Sequence, residues 1–125
     1  MGIGLIPFPK PTRKATGTNT AAGTAYENDV ADDLEQAHSY WCFRSVGSRG
    51  SADVFALNPL AKDPEMRMLL VQCKYSQNGT PGLPKNERVA LEDLAAFFGC
   101  TAVYAHNARG AHIIYENVNT GGLLW

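Results

Sequence analysis

The chain has 125 residues, enough for one domain with a buried core, and its hydrophobic fraction of 45% and charged fraction of 18% are ordinary for a globular protein. No apolar run approaches the roughly 20 residues of a membrane span, and Met1 to Pro11 lacks the charged start of a secretory signal. The three cysteines, Cys42, Cys73 and Cys100, have no paired spacing, which argues against a disulfide framework or a zinc ribbon and favours a reducing, cytoplasmic setting.

The net charge of −1 conceals two segments of opposite sign. Residues 1–25 carry three bases and no acid, whereas residues 26–37 carry five acids and no base. The three bases are Lys10, Arg13 and Lys14. Proline and small polar residues dominate residues 1–23, which disfavours regular structure. We therefore expect residues 1–23 to form a flexible basic arm, either a disordered tail or a segment that orders on phosphates, before a domain of residues 24–125.

The first predicted helix runs from about Ala25 to His38. Its apolar positions recur at helical spacing and define one buried face, with Val30, Ala31 and Leu34. Glu27 falls within that face, unlike the other acids of the helix. Thr24 and Glu27 also match a capping box, in which the same carboxylate binds a backbone N–H at the helix start. By pattern alone, the cap is the stronger interpretation of Glu27.

The remaining elements are predicted from apolar runs and from the turn residues that separate them. We expect strands at Tyr40–Val46, Asp53–Leu57 and Met68–Lys74, a helix at Lys85–Phe98 that ends at Gly99, and strands at Thr101–His106 and Ala111–Val118. This order predicts a single α/β domain with a central mixed five-stranded sheet flanked by helices.

Polar residues collect where two of these strands meet. If Asp53–Leu57 and Met68–Lys74 pair as an antiparallel hairpin, Asp53 lies opposite Gln72 and Lys74. Side chains alternate along a strand, so Gln72 and Lys74 share one face and Cys73 takes the other. A carboxylate, an amide oxygen and an ammonium then lie at one end of a sheet, where they have little packing value.

This set is typical of a divalent-metal site. Mg²⁺ prefers oxygen ligands, which Glu27, Asp53 and Gln72 offer, and the backbone carbonyl of Cys73 can add another. Such a metal, Mg²⁺ or Mn²⁺ in its place, activates water and stabilises charge on a phosphoryl oxygen, while Lys74 can orient that water. The turn before Asp53 adds hydroxyl, guanidinium and N–H groups for phosphate, from Ser48, Arg49 and Ser51.

Three short segments resemble the motifs of the PD-(D/E)XK nuclease superfamily, and most nearly those of archaeal-type Holliday junction resolvases, which also occur in phages. They are Gly23-Thr24-Ala25-Tyr26-Glu27, Gly47 to Asp53, and Gln72-Cys73-Lys74. The resemblance covers roughly Arg13 to Val118. It implies a restriction-endonuclease-like fold and a dimeric, Mg²⁺-dependent endonuclease that cuts four-way DNA junctions.

By position, the resemblance implies catalytic roles for Glu27, Asp53, Gln72, Lys74 and Ser48. The phosphates of DNA are the expected partners of the basic arm and of the turn, through Lys10, Arg13, Lys14, Arg49 and Ser51. Candidate dimer contacts are the Phe97-Phe98 pair and the apolar end, Leu123, Leu124 and Trp125.

Gln72 departs from the family pattern, which usually has Glu or Asp there. An amide keeps one ligand oxygen but removes a negative charge, so we expect weaker metal binding. The residue is either natural or an inactivating change. Three interpretations stay open: a junction resolvase, another small nuclease of the same fold that nicks or repairs DNA, and a catalytically inert DNA-binding module.

Overall fold

The computed structural model describes residues 18–44, 52–76, 81–107 and 112–125, with side chains from Gly23 onward. The elements within these ranges are α1 (Thr18–His38), β1 (Trp41–Arg44), β2 (Val54–Leu57), β3 (Met68–Lys74), α2 (Lys85–Phe98), β4 (Thr101–His106) and β5 (Ile114–Asn117). A short 3-10 helix, Pro64–Arg67, lies in the connection between β2 and β3.

The five strands form one mixed sheet in the order β1-β2-β3-β4-β5. β3 and β4 are parallel and are joined by α2, whereas the other neighbouring strands are antiparallel. A parallel pair requires such a crossover, because a short turn can only reverse the chain. The predicted α/β domain with a mixed five-stranded sheet and flanking helices is confirmed.

β3 is the central strand and is covered on both faces. Leu69, Val71 and Cys73 pack into a core with α1, whereas Leu70 packs into a second core with Leu91 of α2. Full burial of each aliphatic side chain contributes about 1.5–3 kcal/mol to the free energy of folding, before the entropic costs of ordering the side chain are subtracted. Alternate residues of β3 therefore face different helices, as predicted.

The first helix begins earlier than the sequence predicts. α1 starts at Thr18 rather than near Ala25, so residues 18–23, assigned to the arm by composition, belong to this helix. Three alanines within residues 20–25 favour the helix and outweigh the single Gly23. Thr24 lies inside the helix and cannot cap its start, so the capping-box interpretation of Glu27 is wrong.

Several other element bounds agree with the sequence. β3, α2 and β4 begin and end at the predicted residues. Gly99 ends α2 in the left-handed region, with a φ of 69°, where glycine is favoured. β2 begins at Val54, so Asp53 precedes the strand rather than opening it, and β5 is shorter than predicted.

The apolar end of the chain packs in part against its own domain. Leu124 contacts the core on the α1 side, and its backbone N–H donates to the carbonyl of Tyr115. The Trp125 ring stacks on His38 with 3.7 Å between centroids, whereas Leu123 stays 66% exposed. Among the described residues, neither helix is long and apolar enough to cross a membrane.

Candidate active site

Asp53 is fixed at the end of β3 by two hydrogen bonds. Its backbone N–H donates to the carbonyl of Val71 over 2.7 Å, and its Oδ2 accepts the N–H of Cys73 over 2.8 Å. Val54 pairs with Val71 in the sheet, which places Asp53 one step further along, beside Gln72. The predicted meeting of Asp53 with the end of β3 is therefore observed.

Glu27 reaches the sheet from α1. Its carboxylate forms an ion pair with Arg44, the last residue of β1, and both side chains are about four-fifths buried. Arg44 also donates to Oδ1 of Asn28 over 2.7 Å. The carboxylate thus turns inward from the helix, as its position on the wheel predicts, and its cationic partner is a residue that sequence reasoning missed.

Lys74 pairs with a second residue that sequence reasoning missed. Its Nζ lies 2.7 Å from Oε1 of Glu87, in the first turn of α2. Gln72 and Lys74 share the face of β3 that α2 covers, and the crossover from β3 brings Glu87 back over that face. No local pattern separates Glu87 from Glu92 or from other acids of the helix, so only the tertiary structure identifies it.

The charges of these residues act on one another. Burial raises the pKa of Asp53, and the nearby carboxylate of Glu87 adds to the rise. The Cys73 N–H and the cations Lys74 and Arg44 oppose it. Asp53 forms no ion pair with any residue that the structure describes. Its negative charge is therefore the least compensated of the group.

Glu27 and Asp53 act on a common neighbour. Burial raises the pKa of the Cys73 thiol, and the carboxylates of Asp53 and then Glu27 raise it further. The two carboxylates therefore lie within electrostatic range of the same residue at the end of β3, although they come from different elements. Three carboxylates and two cations gather here: Glu27, Asp53, Glu87, Arg44 and Lys74.

A hard divalent cation fits this donor set. The predicted ligands, Glu27, Asp53, Gln72 and the carbonyl of Cys73, are all oxygens, and the incompletely compensated charge of Asp53 favours a cation beside it. The part of the chain that the structure describes has no group of three or more His, Cys, Asp or Glu side chains positioned for a metal. That finding does not address a set with only two carboxylates, so the Mg²⁺ site stays a prediction.

The other predicted site residues lie outside the described ranges. They are Ser48, Arg49 and Ser51 of the predicted turn before Asp53, and Lys10, Arg13 and Lys14 of the predicted arm. Arg44 and Ala52 are the described residues that border the turn. The roles assigned to the turn and the arm stay predictions.

The mixed sheet, the helix on each face and the polar end of the β2–β3 pair together define the restriction-endonuclease-like fold. Among solved structures, the chain is similar to Hjc, a Holliday junction resolvase from the archaeal hyperthermophile Archaeoglobus fulgidus, with a TM-score of 0.64. The two sequences are 24% identical, and the similarity covers 78% of this chain and 74% of Hjc. No protein-family model and no curated protein matches the chain. The similarity to Hjc shows a shared fold.

The raised pKa of Asp53 predicts that this residue destabilises the metal-free protein. Above that pKa, folding buries an ionised carboxylate, which opposes folding. Asp53→Asn removes the charge and keeps an oxygen to accept the Cys73 N–H. We expect the variant to melt at a higher temperature than the wild type at pH 7 without divalent metal.

The difference in melting temperature should shrink as the pH falls through the pKa of Asp53 in the folded protein, because the wild-type carboxyl is then protonated as well. Thermal melts of both proteins from pH 7 to pH 3, in the presence of a chelator, measure this. Identical melting temperatures at pH 7 would show that Asp53 carries no buried charge.

Proposed function

We propose that this protein is a Mg²⁺-dependent endonuclease that resolves four-way DNA junctions. The observation that carries the proposal is the assembly of Glu27, Asp53 and the Gln72–Lys74 pair at one end of the sheet, in a fold shared with a Holliday junction resolvase. Such an enzyme serves DNA recombination and repair inside the cell.

The proposed mechanism assigns one task to each group. Glu27, Asp53, Gln72 and the carbonyl of Cys73 would hold the metal, which when bound would supply an activated water and stabilise charge on the phosphate. The Cys73 N–H fixes Asp53, and Arg44 fixes Glu27, so neither carboxylate has to be ordered when the metal arrives.

Lys74 acts on the phosphate and its attacking water. Its ammonium lies at the same end of β3 and can neutralise the charge that develops on the phosphoryl oxygen. Ser48, in the turn before Asp53, is assigned to the scissile phosphate. Arg49 and Ser51 are assigned to neighbouring phosphates, which position the strand without reading its sequence.

A homodimer fits the substrate, because a four-way junction presents two symmetric strands and a two-fold dimer presents two matching sites. Phe97 and Phe98 are 81% and 54% exposed, and their rings pack edge to face at 5.2 Å. Leu123 and Trp125 add further exposed apolar surface. These residues are the candidate contacts between subunits.

The neutral Gln72 favours a second candidate function, a catalytically inert module that binds branched DNA. A third, a small nuclease that nicks or repairs other DNA, uses the same chemistry on another substrate. The three functions differ in which DNA is cut and in whether metal is needed for the cut, so one set of substrates separates them.

Cleavage of a synthetic four-way junction tests the proposal. We expect symmetric incisions near the branch point with Mg²⁺ or Mn²⁺, none with a chelator, and none on a linear duplex of the same sequence. Asp53→Asn should lower the rate by at least about a hundredfold, as loss of a charge-stabilising group does, and leave junction binding intact.

Other outcomes select the alternatives. Equal cutting of a nicked or linear duplex would favour the repair nuclease. Tight junction binding without cleavage at any metal concentration would favour the inert module. Cleavage by Asp53→Asn at the wild-type rate would contradict the assignment of Asp53 to the active site.

Replacing the bases of the arm tests its contact with phosphate. Alanine at Lys10, Arg13 and Lys14 should weaken junction binding and flatten its dependence on salt, because each phosphate contact releases counterions. Loss of all three contacts reduces the slope of log K against log salt by about 3. Binding titrations at several salt concentrations measure this slope. An unchanged slope would mean that the arm does not contact DNA.

Sedimentation equilibrium tests the dimer. At micromolar concentration we expect the mass of two chains, and Phe97→Ser should shift the equilibrium toward the monomer, because it removes an exposed aromatic ring that contributes little to the fold. Val89→Ser, at an exposed apolar position of the same helix, is the control. A monomeric wild type, with and without junction DNA, would contradict the dimer.

A further inference from the structure

A cavity lies beside the candidate active site, at the edge of the sheet where the parallel strands β3 and β4 both end. Its volume is about 400 Å³, within the range of pockets that hold small organic ligands, roughly 300–1,000 Å³. Its walls include residues of α1 and of the segments that follow β3 and β4: Tyr26, Asp29, Asp33, Tyr75 and Asn107. Tyr26 precedes Glu27 and Tyr75 follows Lys74, so the cavity adjoins the residues proposed for catalysis.

Two tyrosine rings contribute to the wall of the cavity. The rings of Tyr26 and Tyr75 lie 5.4 Å apart between centroids and are inclined by 40°. Tyr26 is buried, whereas Tyr75 is 46% exposed, which leaves part of this residue accessible to a ligand. Exposed aromatic side chains beside a nucleic-acid site are the usual platforms on which unpaired bases stack.

The end of β4 holds Tyr75 in place. Asn107 is buried, and its side-chain amide donates to the carbonyl of Ser76 over 2.9 Å and accepts the N–H of Ser76 over 3.1 Å. These two hydrogen bonds fix the backbone directly after Tyr75. The aromatic wall is therefore positioned before a ligand arrives, which lowers the entropic cost of stacking on it.

The charged groups of the cavity wall favour a base over a phosphate. Asp33 is oriented by the Tyr115 hydroxyl, which donates to its Oδ2 over 2.7 Å, and Asp29 is exposed one helical turn earlier. Neither lysine nor arginine is among the described residues that line the cavity. Carboxylates repel a phosphate, but they accept hydrogen bonds from the exocyclic amine of a base, as they do from cytosine.

We propose that the cavity receives one unstacked nucleobase from the branch point of the DNA junction, and that this base carries an exocyclic amine. The base stacks on Tyr75 and donates its amine to Asp29, while its phosphate stays outside the cavity. Extruding a base costs least where pairing or stacking is already disturbed, as at a branch point. The inference rests on the proposed function, and it names the feature of branched DNA that the site recognises.

Binding of four-way junctions without divalent metal, measured by fluorescence anisotropy, tests the inference independently of cleavage. An abasic nucleotide, which keeps the phosphate and removes the base, is placed at each branch-point position in turn. At one position or more, the wild type should lose at least about fivefold in affinity, as expected for one stacked base. Tyr75→Leu should lose a similar amount on the intact junction and nothing further on the abasic one.

Matched variants separate the ring from the carboxylate. Tyr75→Phe keeps the ring and should bind as the wild type does. At the position found with the abasic series, the wild type should prefer cytosine or adenine to thymine, and Asp29→Ala should lose this preference. Asp32→Ala, at an exposed position of the same helix, is the control and should keep it. Thermal melts show that each variant is folded.

Other results overturn the inference. Unchanged affinity at every abasic position, or an equal loss in the wild type and in Tyr75→Leu, would mean that the cavity holds no base. A base preference that survives Asp29→Ala would overturn the amine contact. A wild type that binds no junction would overturn both this inference and the proposed function. Junctions that are bound but not cut with Mg²⁺ would overturn the nuclease activity alone, and the abasic comparison would still decide the use of the cavity.

Discussion

The burial of β3 on both faces is the constraint on which the rest of the structure depends. Because side chains alternate along a strand, a strand with a helix on each face must direct successive side chains toward different helices. Leu69 and Val71 pack in the core on the α1 side of the sheet, and Leu70 packs in the core on the α2 side. The same alternation continues to the end of the strand, where it directs Cys73 to one helix and Lys74 to the other. The apolar core thus decides which helix can supply charges to the candidate site.

The charges at this end of the sheet form two ion pairs. Glu27 of α1 binds Arg44 of β1, and Lys74 of β3 binds Glu87 of α2, so each pair joins a helix to a strand. Asp53 lies within electrostatic range of a member of each pair, Arg44 and Lys74, and its own carboxylate accepts a backbone N–H instead of pairing with a cation. The pairs compensate most of the buried charge and leave one carboxylate that burial disfavours. Burial of this charge opposes folding at the place where chemistry is proposed.

Sequence reasoning predicts the fold well where local signals agree. The bounds of β3, α2 and β4 follow from continuous apolar runs and from Gly99, which favours the left-handed turn that ends α2. The start of α1 was missed because small polar residues resemble a linker until the alanines among them are weighed. The sequence predicts that Asp53 meets the end of β3 and that Glu27 faces the sheet, and both placements are observed, although the pattern of Glu27 favours a helix cap. Arg44 and Glu87 are not predicted, because their contacts arise only from tertiary pairing across elements.

The contacts of Arg44 have a consequence for interpreting genetic variants. Arg44 is tied to α1 through both Glu27 and Asn28, and it is the last described residue before the segment that contains Ser48 and Arg49. Neutralising Glu27 would therefore remove a candidate metal ligand and also one of the two contacts that hold Arg44 to α1. A loss-of-function allele at Glu27 would combine these two defects, and Asn28→Ala, which removes a contact of Arg44 and keeps Glu27, is the allele that tells them apart.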